Sequence, residues 1–329
     1  MNLRDSLKNS NLYQRKVSIM FINIIILTSL VITPIFISSC GTEASVQQKD
    51  QVDIATPINC LGKKISKNSK NTTKPGLITE NNHFYGKSCY AEVISNIFET
   101  STKPIVLFVH GRGKHPSKTI KENLIKNIRD QYNVSVLSFT WPSWEGPSGF
   151  PDTSAMDSSD ELTEIIKTLY RVKTNGAYKN PLSMLTHSMG SIVLQGIVEK
   201  ELDNTLTKNI FKNIVINASA SSQKNHGEWI SNIDFAENIY IVSNTNDKAL
   251  LCLEGKPKIV CKFLWHFDMS PRLGRIDSSN IDDTAANAHY VNFTDKLGKK
   301  HRYYINQTNS PSVFNFYNTT LNGKNFIAN

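Results

Sequence analysis

Three residues stand in an order suited to acyl transfer: Ser188 within Thr186-His187-Ser188-Met189-Gly190, Asp247 at the end of Asn244-Thr245-Asn246-Asp247, and His301 at the head of His301-Arg302-Tyr303-Tyr304. A serine hydroxyl attacks a carbonyl only when a neighbouring base takes its proton. An imidazole is the usual base, and a carboxylate on its other nitrogen orients it and stabilises the imidazolium. The oxyanion formed by the attack needs backbone N–H donors. The N–H of Met189, after the serine, is one candidate. The N–H of Arg112 is the other, because His110-Gly111-Arg112 follows directly on the apolar run Ile105 to Val109.

Each of these residues needs an element to hold it. Leu182, Met184 and Leu185 precede Ser188 as a short apolar strand, and Ile192, Val193, Leu194, Ile197 and Val198 follow it at helical spacing. A serine on such a strand-to-helix turn is strained, so the residues two places either side must be small. Gly190 meets that need, whereas Thr186 departs from it. Asp247 comes just after the run Ile239 to Val242; Asp234 and Asp268 follow no clear strand. His301 lies past the weaker strand Tyr290 to Phe293. His289, the remaining alternative as base, precedes that strand and so belongs at the wrong end, and His266 sits in the aromatic stretch Phe263 to Met269. His110 and His187 are expected to shape the turn rather than carry protons. Trp141, Pro142, Ser143 and Trp144 line an acyl pocket or form a rigid packed turn, and the side chain of Arg112 faces an anionic substrate or solvent.

From about Tyr90 strand-like and helix-like segments alternate, which indicates an α/β domain with a mostly parallel sheet and helices on both faces. Strands are expected at 105–109, 134–139, 182–185, 214–216, 239–242 and 290–293. Helices are expected from about Ser117, from a capping box formed by Ser158 and Glu161, and from Ser310-Pro311. In such sheets chemistry gathers at the carboxyl ends of the strands.

The pieces "LFVHGRG", "LSFTWPS", "LTHSMGS", "VSNTNDKAL" and "HRYY" resemble, in this order, segments of α/β-hydrolases, and within that superfamily bacterial esterase/lipase-like proteins of poorly defined substrate. The resemblance covers roughly residues 100 to 321. It implies a serine hydrolase that cleaves carboxylic esters through an acyl-enzyme, with Ser188, Asp247 and His301 as triad and no cofactor. The alternative is a binding or scaffold protein that keeps the fold but is catalytically idle.

The N-terminus carries a different message. Arg4, Lys8, Arg15 and Lys16 precede the apolar stretch Val17 to Ile37, and Ile37-Ser38-Ser39-Cys40-Gly41 resembles the lipobox of bacterial lipoproteins. This implies export, cleavage after residue 39 and lipidation of Cys40, with Gly41 suiting an outer membrane if the cell has one. An uncleaved spanning anchor is the other reading, since the stretch is long enough for a bilayer. Residues 1–39 carry a net three positive charges, so their removal leaves about +6 of the chain's +9. Much of that surplus lies in the polar run Gly62 to Gly76, and residues 40–84 accordingly read as a tether ahead of a hydrolase domain over 85–329. The run has no aromatic residues among its lysines, which argues against nucleic acid as a partner. The partners expected are a small-molecule or lipid ester and a membrane.

Four cysteines remain after Cys40, namely Cys60, Cys89, Cys252 and Cys261. An exported chain meets oxidising conditions, so two disulfides are expected. Of three pairings, Cys60 with Cys89 and Cys252 with Cys261 is favoured, because the second pair closes a short loop. No cysteine has histidines at metal-ligand spacing, so no metal is expected. Residues 252–288 form a long excursion that is either a lid or a surface insertion.

Overall fold

The apolar runs read from the sequence become strands of one sheet. In a computed structural model, the residues described are 60, 62–65, 74–113, 123–145, 150–176, 178–251, 271–277, 283–305 and 310–327. They all belong to one unit spanning 55–329. The strands are β1 (Lys63–Lys64), β2 (Gly76–Ile78), β3 (His83–Tyr85), β4 (Ile105–Val109), β5 (Ser135–Thr140), β6 (Leu182–His187), β7 (Phe211–Asn217), β8 (Ala236–Ser243) and β9 (Ala288–Asn292). Their order in the sheet is β1-β3-β2-β5-β4-β6-β7-β8-β9. From β5 to β9 all pairings are parallel, while β1, β2 and β3 pair antiparallel. Every residue of β4 and β6 is buried, as expected for parallel strands covered on both faces.

The described helices are α1 (Tyr90–Thr100), α2 (Leu124–Tyr132), α3 (Asp152–Asp157), α4 (Ser159–Asn175), α5 (Gly190–Glu199), α6 (His226–Ser231), α7 (Lys248–Leu251), α8 (Thr294–Leu297) and α9 (Pro311–Leu321). Helices α1, α3, α4 and α5 pack among themselves, whereas α9 packs on α2 and over β6 and β7. In α9, Val313, Phe316, Tyr317 and Leu321 are fully buried. Burying a side chain of that size stabilises by roughly 1.5–3 kcal/mol. Pro311 occupies the first turn of α9, where its missing N–H costs nothing.

Register decides what the strand ends can do together. Val109 pairs with Phe139 and with Thr186, His187 with Asn217, Asn217 with Val242, and Ser243 with Asn292. The segments carrying Gly111, Ser188 and Asp247 therefore leave the sheet along one edge.

Two expectations need correction. The tether assigned to residues 40–84 ends too late, because β2 and β3 continue the sheet beyond β5 and Leu77 and Ile78 are fully buried. Glu80 reinforces this join by accepting the Val136 N–H at 2.9 Å and pairing with Arg129 at 3.2 Å. The capping box at Ser158 does not form either. Helix α3 runs up to Asp157, so Ser158 keeps a helical backbone and its hydroxyl donates to the Ser154 carbonyl at 2.6 Å. Cys60 and Cys89 are joined by a disulfide; Cys252 and Cys261 lie outside the described residues, as do Cys40 and the export segment.

Candidate active site

Ser188 sits between β6 and α5 with φ at +54°, a left-handed conformation that costs a non-glycine residue about 1–3 kcal/mol. The turn is held from several sides. The Ser188 N–H donates to the Asn217 carbonyl at 3.1 Å, and its own carbonyl accepts from the N–H groups of Ser191 and Ala220, each at 3.1 Å. The Ser191 hydroxyl adds a donor to the same carbonyl at 2.7 Å, and the Ser219 hydroxyl supports Ser191 at 2.7 Å. Glycine is required at 190 because a Cβ there would lie 2.4 Å from the Val109 carbonyl oxygen. Thr186 is accommodated as a fully buried strand residue.

Gly111 brings the β4 loop against the nucleophile: a Cβ at 111 would lie 2.7 Å from Cβ of Ser188 and 2.8 Å from the His187 carbonyl oxygen. This approach puts the backbone of residues 111–112 beside Ser188, on the strand edge that also carries Met189.

Asp247 is fully buried and divides its two oxygens. Oδ1 accepts the N–H groups of Ala249 at 2.9 Å and Leu250 at 3.2 Å, capping the short α7. Oδ2 accepts Nδ1–H of His301 at 2.7 Å and the Tyr303 hydroxyl at 2.6 Å. That bond fixes the His301 tautomer, leaving Nε2 with its lone pair available as a base. The His301 ring lies 4.7 Å from the ring of His187, the residue immediately before Ser188. Asp247 and His301 are thus joined directly, and the His301 ring lies against the residue that precedes Ser188.

A family model described as an alpha/beta hydrolase of unknown function (DUF900) matches residues 87–255, just over half of the chain. The chain belongs to this family. Among solved structures, the thermophilic carboxylesterase EstE1 from a metagenomic library is 11% identical, with a TM-score of 0.37 over 78% of this chain and 91% of that one. Carboxyl esterase 2 from the mycorrhizal fungus Tuber melanosporum is 10% identical, with a TM-score of 0.37 over 80% and 90%. An esterase from Pyrobaculum calidifontis is 12% identical, with a TM-score of 0.33 over 65% and 74%. At these scores the likenesses carry no argument about chemistry. No curated protein matches the sequence.

Of the other described histidines of this alpha/beta hydrolase, His110, His187 and His289 make contacts of their own. His110 donates from Nδ1 to the Gly111 carbonyl at 2.7 Å, its Nε2 meets the Thr140 hydroxyl at 3.2 Å, and it stacks on Trp141. Burial pushes its pKa down to about 4 despite the Gly111 bond. His187 accepts the Asn217 side-chain N–H at Nδ1, at 3.0 Å, and Asn217 in turn takes the Tyr317 hydroxyl. Burial, and then the charges of His301, Arg302 and His110, hold His187 well below the ordinary histidine range. His289 lies in β9 and stacks on Tyr240. Asp234 pairs with Lys208 at 3.3 Å just ahead of β8, at the opposite end from Asp247. His266 and Asp268 lie outside the described residues.

Trp141 is a packed indole: it is fully buried and donates to the His110 carbonyl at 2.9 Å. Trp144 instead lies beneath the Arg112 guanidinium, 4.9 Å from ring centroid to Cζ, with Phe150 at 5.7 Å. Of the excursion 252–288, residues 271–277 are no lid. Leu273, Gly274 and Ile276 are buried, the Gly274 carbonyl accepts the Asn244 N–H at 2.9 Å, and the Gly274 N–H donates to the Ser219 carbonyl at 2.9 Å. Residues 252–270 and 278–282 fall outside the described residues.

Two side chains bonded to the Asp247 and His301 loops escaped sequence reasoning. Tyr303 is the second donor on Asp247, and burial followed by the Asp247 charge raises its pKa, so it stays a neutral donor. Asn244 ties the two loops together: its side-chain N–H groups reach the carbonyls of Gly298 at 2.9 Å and Lys300 at 3.1 Å, next to His301. Its Oδ1 accepts the Asn246 N–H at 3.0 Å, next to Asp247. Their only sequence signal was proximity to the two triad candidates.

Proposed function

We propose that this alpha/beta hydrolase cleaves carboxylic esters through a covalent acyl-enzyme on Ser188. In the first half-reaction the Ser188 oxygen forms a bond to the ester carbonyl carbon while Nε2 of His301 takes the hydroxyl proton. Asp247 stabilises the imidazolium, and the N–H groups of Arg112 and Met189 stabilise the oxyanion. The carbon–oxygen bond to the alcohol then breaks, and the alcohol leaves with the proton from His301. In the second half a water attacks the acyl-enzyme, His301 again takes and returns a proton, and the carboxylic acid leaves with Ser188 restored.

The observation that carries this reading is the 2.7 Å bond from His301 to a buried Asp247, in a loop system abutting the strained Ser188 turn. An idle scaffold has no need to hold a left-handed serine and, near it, an imidazole bonded to a buried carboxylate. Anchoring to a bacterial membrane through lipid on Cys40 is part of the proposal and is supported by the lipobox-like sequence. The test is labelling with a fluorophosphonate beside turnover of p-nitrophenyl esters of graded acyl length. The expected result is stoichiometric labelling of the folded protein that Ser188→Ala abolishes; folded protein that neither labels nor turns over any ester overturns the reading.

A further inference from the structure

The loop after β7 begins Ala218-Ser219-Ala220-Ser221-Ser222, small residues that let it pass close to the Ser188 turn. Ala218 enters it with φ at +48°, and the Ala220 N–H reaches the Ser188 carbonyl. Three hydroxyls converge there, on Ser191, Ser219 and Ser221, and all three residues are buried. The proton of Ser191 goes to the Ser188 carbonyl at 2.7 Å, since a carbonyl can only accept. The Ser219 and Ser221 hydroxyls, at 2.7 and 3.1 Å from Ser191 Oγ, must therefore donate to it. Ser219 in turn accepts the Ser221 N–H at 3.1 Å. The result is a chain of one polarity, running from a backbone N–H through the hydroxyls of Ser219 and Ser191 to the carbonyl behind the nucleophile.

That carbonyl does not need the chain for its own sake. The N–H groups of Ser191 and Ala220 already match its two lone pairs, each at 3.1 Å. Alanine at 191, 219 and 221 would avoid the cost of burying hydroxyls. What the chain does change is the peptide unit between Ser188 and Met189, whose other end is the Met189 N–H. In a trans peptide the two groups point in opposite directions, so donors that fix the carbonyl also aim the N–H. Each donor polarises the unit further, and bonds in a buried chain strengthen one another. The Met189 N–H stands ahead of the first turn of α5 and has no acceptor within that helix.

Resting on the serine-hydrolase reading above, we propose that Ser191, backed by Ser219, is a positioning residue for the oxyanion: through the Ser188 carbonyl its hydroxyl aims and polarises the Met189 N–H toward the negative charge that forms on the ester oxygen. A neutral ester carbonyl gains little from a stronger donor and an oxyanion gains much more, so the effect belongs to kcat.

The experiment uses the full chain, the p-nitrophenyl ester of the graded series that turns over fastest, and the trifluoromethyl ketone with the same acyl chain. The ketone carbon bonds to the Ser188 oxygen while His301 takes the hydroxyl proton, which leaves an alkoxide where the ester oxyanion would form. Ser191→Ala is expected to lower kcat by about three- to tenfold with KM within about twofold of the wild type, and to weaken inhibition by the ketone by a factor similar to the fall in kcat. Ser191→Cys keeps a weaker donor and falls between the two. Should Ser191→Ala fail to fold, Ser219→Ala leaves the Ser191 bond in place and is expected to give a smaller loss of the same kind. Where both fold, Ser219→Ala costs no further kcat in the Ser191→Ala background, because Ser219 acts through Ser191. A loss confined to KM, a fall in kcat with the ketone bound as tightly as before, or wild-type kinetics in both variants overturns this inference and leaves the Ser188-dependent hydrolase reading intact. If no ester is cleaved and Ser188 ignores fluorophosphonate, the hydrolase reading falls and this inference with it.

Discussion

The hydroxyl of Tyr303 lies 2.6 Å from Oδ2 of Asp247, the same oxygen that receives Nδ1–H of His301. Two donors on one oxygen share its electron density, so the tyrosine weakens the pull of the carboxylate on the imidazolium while fixing the position of the carboxylate. Tyr303→Phe leaves that oxygen with one donor fewer to hold it against the imidazole, and kcat/KM on esters is expected to fall by about three- to tenfold. An unchanged kcat/KM would show that Tyr303 only fills space. Asp247→Asn, which permits the wrong imidazole tautomer, is expected to cost on the order of 10³–10⁴ in kcat.

The left-handed φ of Ser188 implies a conflict between stability and activity. Ser188→Gly and Ser188→Ala both remove the nucleophile, but only glycine adopts this conformation without strain. In urea melts the glycine variant is expected to be the more stable of the two by about 1 kcal/mol. A more stable alanine variant would refute the strain.

Gly190→Ala tests the close approach of α5 to β4. The new methyl would meet backbone at 2.4 Å, which cannot move aside as a side chain would. A loss of about 3 kcal/mol or failure to fold is expected, against a change within about 1 kcal/mol for alanine at Gly86, where a Cβ meets nothing within 4 Å. Similar melting temperatures for the two variants would contradict the contact.

Acid should destabilise the protein earlier than carboxylate titration would. The folded value of about 4 for His110 lies below its ordinary 6.5. Between those values the unfolded chain binds more protons than the folded one, so stability falls as pH is lowered through that window. The loss from His110 alone is about 3 kcal/mol by the time pH 4 is reached, and His187 adds to it in the same direction. Denaturant midpoints measured at half-unit steps from pH 7 to 4 check this, and a flat profile would exclude a neutral buried His110.

The parallel core was readable because β4, β6, β7 and β8 each contain an apolar run bounded by polar residues, and Ser188, Asp247 and His301 each follow one of the strands. The edge hairpin was not readable. Strands β1, β2 and β3 have only two or three residues each, too short to show a period, and Lys63 and Lys64 look like part of a soluble loop. Ser158 misled because a capping box is a local signal, and nothing local announces that α3 has already satisfied the turn. Asn244 and Tyr303 act across 56 residues of chain, to Lys300 and to Asp247 respectively. Pairings of that range are set by how strands stack, which single residues do not encode.

The Cys60–Cys89 bond has a mechanical consequence. Cys60 stands ahead of the two-residue β1, and Cys89 stands beyond β3 at the head of α1. Tension arriving along the chain from before residue 60 passes through sulfur straight into α1, so the segment between the two cysteines carries no load. Without that shunt the same pull would unzip β1 from β3 one hydrogen bond at a time and then peel β2 away from β5.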